Sequence, residues 1–210
     1  MTANATLTRP EKQARTRARL IDAALRVFGR RGYRQATVEE IATEAGHTTG
    51  AVYSNFANKE ELFLALADRE VAERLAEVRA VMEAAGRLEE VGPEVAEQFR
   101  AFIARDPQWP LLFYEFWSSG IRDPRLREEF DRRRQQVRDA LAEALETFAR
   151  QQGMRLRFPA KQLAGAISAV INGLAFERVA DPESMPSELV ALSVWGVLEN
   201  AFVPIDEADG

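Results

Sequence analysis

The sequence predicts an all-α protein of about nine helices, with an N-terminal three-helix unit joined by a long helix to a larger helical domain. Three observations predict it. Apolar residues recur at helical spacing and strand-like alternation is absent. Prolines follow Gly92, Asp106, Asp123 and Phe158, places where a helix can begin and a missing N–H costs nothing. Two short helical segments also flank a four-residue turn containing Gly46, the layout of a helix-turn-helix.

Residues 1–10 read as a disordered arm. The first helix is predicted over 11–30, with Leu20, Ala23, Ala24, Val27 and Phe28 as its apolar face and Gly32 as its stop. Thr37-Val38-Glu39-Glu40 has the S/T-x-x-E form of a capping box and opens a short helix to about residue 45. Gly46 turns the chain, and a third helix runs over 48–56. Ile41, Ala42, Ala45, Val52 and Phe56 close a small core with Val27, Phe28 and Tyr33. Asn58-Lys59-Glu60-Glu61 opens a long helix over 58–85. Five more are predicted over 93–104, 107–119, 124–152, 159–180 and 186–203, before a disordered tail at 205–210. The expected domains are therefore 11–57 and 58–204.

Composition narrows the chemistry. The chain has 210 residues, one histidine and no cysteine. Disulfides, thiolate catalysis and cysteine zinc sites are excluded, and any Ser-His-Asp triad would need His47. No metal, cofactor or catalytic site is expected; acids such as Glu115 and Glu177 show no paired spacing. No apolar run reaches the roughly 18 residues of a membrane span, and the polar N-terminus lacks a signal peptide's apolar region, so no membrane partner and a cytoplasmic location are expected. Residues 1–60 hold ten Lys/Arg and six Asp/Glu, a net of +4, and the remaining 150 carry −9. A basic head on an acidic body points to a polyanion as the head's partner.

The outward face of the third helix would carry Thr48, Thr49, Ala51, Ser54 and Asn55. Small polar side chains let a helix sit deep in a major groove, where hydroxyl, amide and methyl groups meet base edges. Lys59 and Thr37, each at a helix N-terminus, suit phosphates. The series Thr37-Val38-Glu39-Glu40-Ile41-Ala42, Gly46, Gly50-Ala51-Val52-Tyr53, Phe56-Ala57-Asn58-Lys59-Glu60-Glu61-Leu62 resembles the N-terminal domain of the TetR/AcrR family of transcriptional regulators over about residues 12–65. The resemblance implies that Tyr53 and Lys59 grip the phosphate backbone and that Thr37 is a backbone-contacting cap. It implies that Thr48, Thr49 and Gly50 begin the recognition helix, with Ala51, Ser54 and Asn55 reading bases or their phosphates. His47 departs from the small aliphatic residue usual in that turn. It either packs as a neutral ring or carries a proton near phosphate.

The body is then expected to bind an effector and to dimerise. The last predicted helix is apolar nearly all round and must be buried on more than one side. Leu163, Ile167, Ile171, Leu192, Trp195 and Gly196 are the expected dimer interface. An aromatic run supplies Trp109, Phe113, Phe116 and Trp117, with Met82, Phe99, Phe102, Val137 and Leu141 as facing walls and Asn172 as a polar group. Such a lining suits a mostly apolar small molecule, or else it is a filled core. The expected function is a homodimeric repressor of a palindromic DNA operator, released by that ligand. The alternative is a constitutive DNA-binding dimer without an effector.

Overall fold

Side-chain caps fix many of the helix starts. The structure, a computed structural model, describes residues 8–105, 107–181, 183 and 186–204, without the side chains of Met82, Ser119 and Ser187. The described helices are α1 (Arg9–Gln35), α2 (Val38–Glu44), α3 (Thr49–Tyr53), α4 (Lys59–Ala84), α5 (Leu88–Arg105), α6 (Trp109–Gly120), α7 (Pro124–Gln151), α8 (Ala160–Ala180) and α9 (Ser187–Leu198). Strands β1 (Met154–Leu156) and β2 (Phe202–Pro204) complete the order. Contacts divide the chain into two compact units, Met1–Glu70 and Val71–Gly210. The division falls inside α4 and not at residue 57, because Phe63 of α4 packs on Phe28 and Tyr33 of α1, with ring centroids 5.7 and 5.3 Å away.

In the first unit, α1 starts earlier than expected. Thr8 caps it and exchanges hydrogen bonds with Glu11, so Arg9 and Pro10 are helical; residues 1–7 of the expected arm lie outside the described residues. Gly32, at φ 75° and ψ 159°, breaks the regular helix where only glycine sits without strain. Thr37 and Glu40 form the anticipated capping box on α2. Leu20, Phe28, Ile41, Val52, Phe56, Leu62, Phe63 and Leu66 are buried and form the unit's core. Fully burying each contributes about 1.5–3 kcal/mol.

In the second unit α5 lies close against α9: a Cβ on Gly92 would stand 3.4 Å from the Ala191 carbonyl. The core joins Val81 and Ala85, Val91 of α5, Leu141, Leu145 and Phe148 of α7, Leu163 and Ile167 of α8, and Val194 and Leu198 of α9. Several expectations need correction. α5 begins at Leu88, where Glu90 accepts from the N–H groups of Gly86 and Arg87; Pro93 therefore lies inside the helix and removes one ladder bond. α9 ends at Leu198, and residues 202–204 pair antiparallel with 154–156. Phe202 anchors this ribbon, 6.0 Å from Phe148. Three residues are too few to show alternation in a sequence. α8 is, by length and composition alone, long and apolar enough to cross a membrane. Lys161, Gln162, Ser168, Asn172, Glu177 and Arg178 interrupt any continuous apolar run, and Leu163, Ala164, Ile167 and Ala175 are buried. Asp106, which precedes one of the helix-starting prolines, and the tail at 205–210 lie outside the described residues.

Candidate nucleic-acid interface

Thr48 turns the chain into α3 by accepting the Ala51 N–H at 3.2 Å. Thr48, Gly50, Tyr53 and Ser54 are exposed, whereas Thr49 and Ala51 are half-buried. Tyr53 leaves 53% of its surface to solvent and its phenol makes no hydrogen bond among the described residues. Gly50 is helical, and a Cβ there would meet only the Thr48 hydroxyl, at 3.8 Å. Nothing among the described residues therefore requires glycine at this position. Thr37 is exposed and its hydroxyl oxygen accepts the Glu40 N–H at 3.2 Å.

Two expected contacts are otherwise engaged. Asn55 is half-buried, and its amide donates to the Ala51 carbonyl at 2.8 Å, so it does not stand out from the helix as expected. Lys59 was expected on a phosphate. Its ammonium instead donates to the carbonyls of Tyr33 (2.9 Å), Arg34 (3.3 Å) and Ala36 (2.9 Å) and lies 4.7 Å from the Tyr33 ring centroid. These carbonyls lie at the C-terminal end of α1, past the break at Gly32, where the helix's partial negative charge favours a cation. An ammonium has three donors, and all three find main-chain partners. Beneath it, burial, and secondarily the Glu60 carboxylate, push the Tyr33 phenol up to about 12. His47 is half-buried in the turn; its N–H donates to Ala42 and its Nε2 is shielded without a hydrogen-bond partner.

The cations of α1 divide into two sets. Arg26 and Arg30 both reach Glu44 at 2.7 Å, and Arg31 reaches Glu40 at 3.3 Å. Hydrogen bonds from Arg26 and then Arg30 hold the Glu44 carboxyl below the usual range. Toward the N-terminus, Arg17 stacks on Phe56 at 4.5 Å, an anchor that the charged pattern of α1 hid.

In the second unit the aromatic run converges on a residue the sequence reading missed. Phe130 of α7 is buried, with Phe113, Phe116 and Trp117 at 5.7, 5.2 and 5.3 Å. It hides in the charged stretch REEFDRRR, and only its spacing to Val137 and Leu141 could have found it. Trp109 is buried and lies 6.1 Å from Phe113. Phe99 and Phe102 are buried, with the Arg74 guanidinium 3.5 Å above Phe102. Val137 is half-buried, and Leu141 belongs to the core shared with α8 and α9. Asn172 is exposed, its carbonyl accepting from the Tyr114 phenol at 3.4 Å, and Met82's side chain lies outside the described residues.

The interface residues also separate. Leu163 and Ile167 point into the chain's own core, which removes them from any partner surface, and Ile171 packs against that core. Trp195 is half-buried, Gly196 exposed, and Leu192 63% exposed.

Residues 20–66 match the family model for bacterial regulatory proteins of the tetR family, and residues 95–194 match that for the C-terminal part of BetI-type transcriptional repressors. The HTH-type transcriptional repressor AcnR of Corynebacterium diphtheriae is 31% identical over 159 residues, covering 75% of this chain and 77% of AcnR. The HTH-type transcriptional regulator SrpR of Pseudomonas putida is 29% identical over 92% of this chain and 91% of its own length. Among solved structures, the transcriptional regulator FadR of Bacillus subtilis, in complex with stearoyl-CoA, shares the fold. It has a TM-score of 0.73 at 19% identity, over 87% of this chain and 98% of FadR.

Proposed function

The chain belongs to the TetR family of bacterial regulatory proteins, and we propose that it is a homodimeric repressor released from a palindromic operator by a mostly apolar small molecule. It is a DNA-binding transcriptional regulator and not an enzyme, and it acts where the DNA is, in the cytoplasm. The observation that carries the DNA contacts is the outward face of α3: small, polar, and at Gly50 cleared of a side chain that the chain itself could accommodate. Glycine inside a helix costs about 1 kcal/mol against alanine, so a close approach from outside is its best reason. Thr48, Thr49, Gly50, Ala51 and Ser54 face the groove, with Tyr53 and Thr37 on the backbone. Asn55 and Lys59 serve by holding this surface in place.

An exposed stripe supports the dimer. α8 presents Ala166, Ala169, Gly173 and Phe176, and α9 presents Leu192 and Gly196. Gly173 and Gly196 have open space where a Cβ would stand, which suits close helix approach by a second copy. Two-fold symmetry would set the two recognition helices roughly 34–36 Å apart. The effector reading rests on the aromatic cluster of α6 and α7, an apolar region that an apolar ligand can enter by displacing rings. α4 has residues in both units, so a ligand that favours one arrangement of α4 alters DNA affinity; a tenfold loss needs only about 1.4 kcal/mol of coupling.

One observation favours a constitutive DNA-binding dimer instead: the rings already pack on Phe130 and one another. A panel of hydrophobic aromatic and acyl compounds separates the two. An effector raises the melting temperature of the free protein and lowers its affinity for DNA. A panel that moves neither supports the constitutive reading.

A further inference from the structure

The body of this chain is acidic, with one stretch that is not. Residues 150–161 read RQQGMRLRFPAK and hold Arg150, Arg155, Arg157 and Lys161 without a single acid. Lys161 pairs with Asp139 at 2.8 Å, and Arg150 donates to the Thr147 hydroxyl at 3.0 Å. Arg155 and Arg157 are exposed, and neither side chain forms an ion pair or a hydrogen bond among the described residues. Phe158 follows them with 50% of its surface open to solvent.

The ribbon sets these residues out in a definite order. Met154 and Leu156 pack against the core, so Arg155 and Arg157 share the opposite, outward face. The Arg157 N–H donates to the Ala201 carbonyl at 2.8 Å, continuing the register that sets Arg155 opposite Val203. Hydrogen-bonded and non-bonded pairs alternate along antiparallel strands. Arg155 and Val203 are therefore a bonded pair, and the main-chain groups of Met154 and Leu156 point away from β2. That outer edge of β1 has no hydrogen-bond partner among the described residues. The outer edge of β2 is blunted by Pro204, which has no N–H.

We propose that the outer edge of β1 docks an extended acidic segment of a partner protein, added as a third strand with carboxylates at alternate positions. An unpaired strand edge is a template for a polypeptide. A lipid or a nucleic acid can answer the guanidiniums but not a row of alternating donors and acceptors. Side chains two residues apart on a strand stand about 6.6 Å apart on one face, so alternate carboxylates meet Arg155 and Arg157 in turn. Phe158, at the end of the row, gives an apolar side chain of the partner a ring to cover. The rest of the acidic body would repel such a segment, which confines it to this edge. The site shares no residue with the proposed DNA contacts.

The test titrates the full chain with a soluble peptide that alternates glutamate and threonine, followed by amide NMR. Binding should slow hydrogen exchange at Met154 and Leu156. Arg155→Gln combined with Arg157→Gln should weaken the peptide's binding about tenfold, the worth of two cross-strand ion pairs, and leave the melting temperature unchanged. Arg155→Lys with Arg157→Lys should keep most of the affinity. The same peptide, fully N-methylated, keeps its charge and loses its strand donors, and it should not bind. No slowing of exchange at millimolar peptide overturns the proposal. So does equal binding by the glutamine variant, or by the N-methylated peptide, which would mean a site of charge alone. Binding of phosphatidylglycerol vesicles through the same arginines, with no peptide bound, overturns it in favour of a membrane surface.

Discussion

Replacing Lys59 separates a clamp from a phosphate contact. Lys59→Met keeps the aliphatic stem and deletes three donors. The bonds to Tyr33 and Ala36 are partly buried and that to Arg34 is exposed. Water replaces the exposed bond at little cost, whereas each partly buried acceptor loses a charge-assisted bond worth about 1.5 kcal/mol. The cation over the Tyr33 ring adds about 0.5 kcal/mol, for a total of roughly 3–3.5 kcal/mol. A unit of this size shifts by about 4–8 °C per kcal/mol, so calorimetry should record a fall of at least about 12 °C in the head's transition. The slope of DNA affinity against salt, measured below that transition, should be unchanged, because no phosphate contact is lost. A melting temperature within a degree or two of wild type, with a slope shallower by about 0.9, would mean that Lys59 holds phosphate, and the clamp argument would fail. Lys59→Arg should recover only part of the stability, since a planar fork cannot aim at three converging carbonyls.

The same structure sets other outcomes. Gly50→Ala should stabilise the head by about 0.5–1 kcal/mol and weaken DNA binding; a stabilised variant with unaltered affinity would remove the close-approach argument. Leu192→Glu should give monomers in sedimentation velocity with a nearly unchanged melt, because Leu192 is 63% exposed in the single chain; persistent dimers would place the interface elsewhere. Tyr33 has its phenol pushed up to about 12, from an ordinary value of about 10. Its contribution is therefore fully present below pH 10 and is lost as pH rises from about 10 to 12. Tyr33→Phe should flatten that alkaline limb, and an equally steep decline in the variant would show that another group causes it.

Much of this molecule was legible because its signals are local. The Thr37–Glu40 box, the Asp123 cap on α7 and the break at Gly32 each depend on residues within one helical turn. What was missed depends on distant partners. Lys59 reads as a phosphate-binding cation until the end of α1, 23–26 residues away, is known to lie beside it, and Phe130 reads as an isolated ring until α6 is laid against α7. Leu163 and Ile167 have the composition of an interface. An apolar helix must be buried on two sides, but periodicity does not say which side meets the chain's own core. Among the small residues of α8, Ala164 is buried with Leu163 and Ile167, whereas Ala166, Ala169 and Gly173 are exposed.

Thr37 and Thr48, both exposed, show how a capping role limits a recognition role. In both Thr37 and Thr48 the hydroxyl oxygen accepts a helix N–H, from Glu40 and Ala51. Neither hydroxyl donates to another group among the described residues. A hydroxyl that keeps its cap offers the outside its one proton far more readily than its engaged oxygen. Phosphate oxygens are acceptors only and match that proton wherever they lie along the backbone. A base edge that presents a donor, such as the cytosine amine, would have to compete with the helix N–H for the same oxygen. Thr37 and Thr48 are therefore suited to register α2 and α3 against the backbone. Under the proposed contacts, discrimination among base pairs would then fall to the half-buried Thr49 and Ala51, whose methyl groups can meet thymine, to the exposed Ser54, and to the clearance left by Gly50.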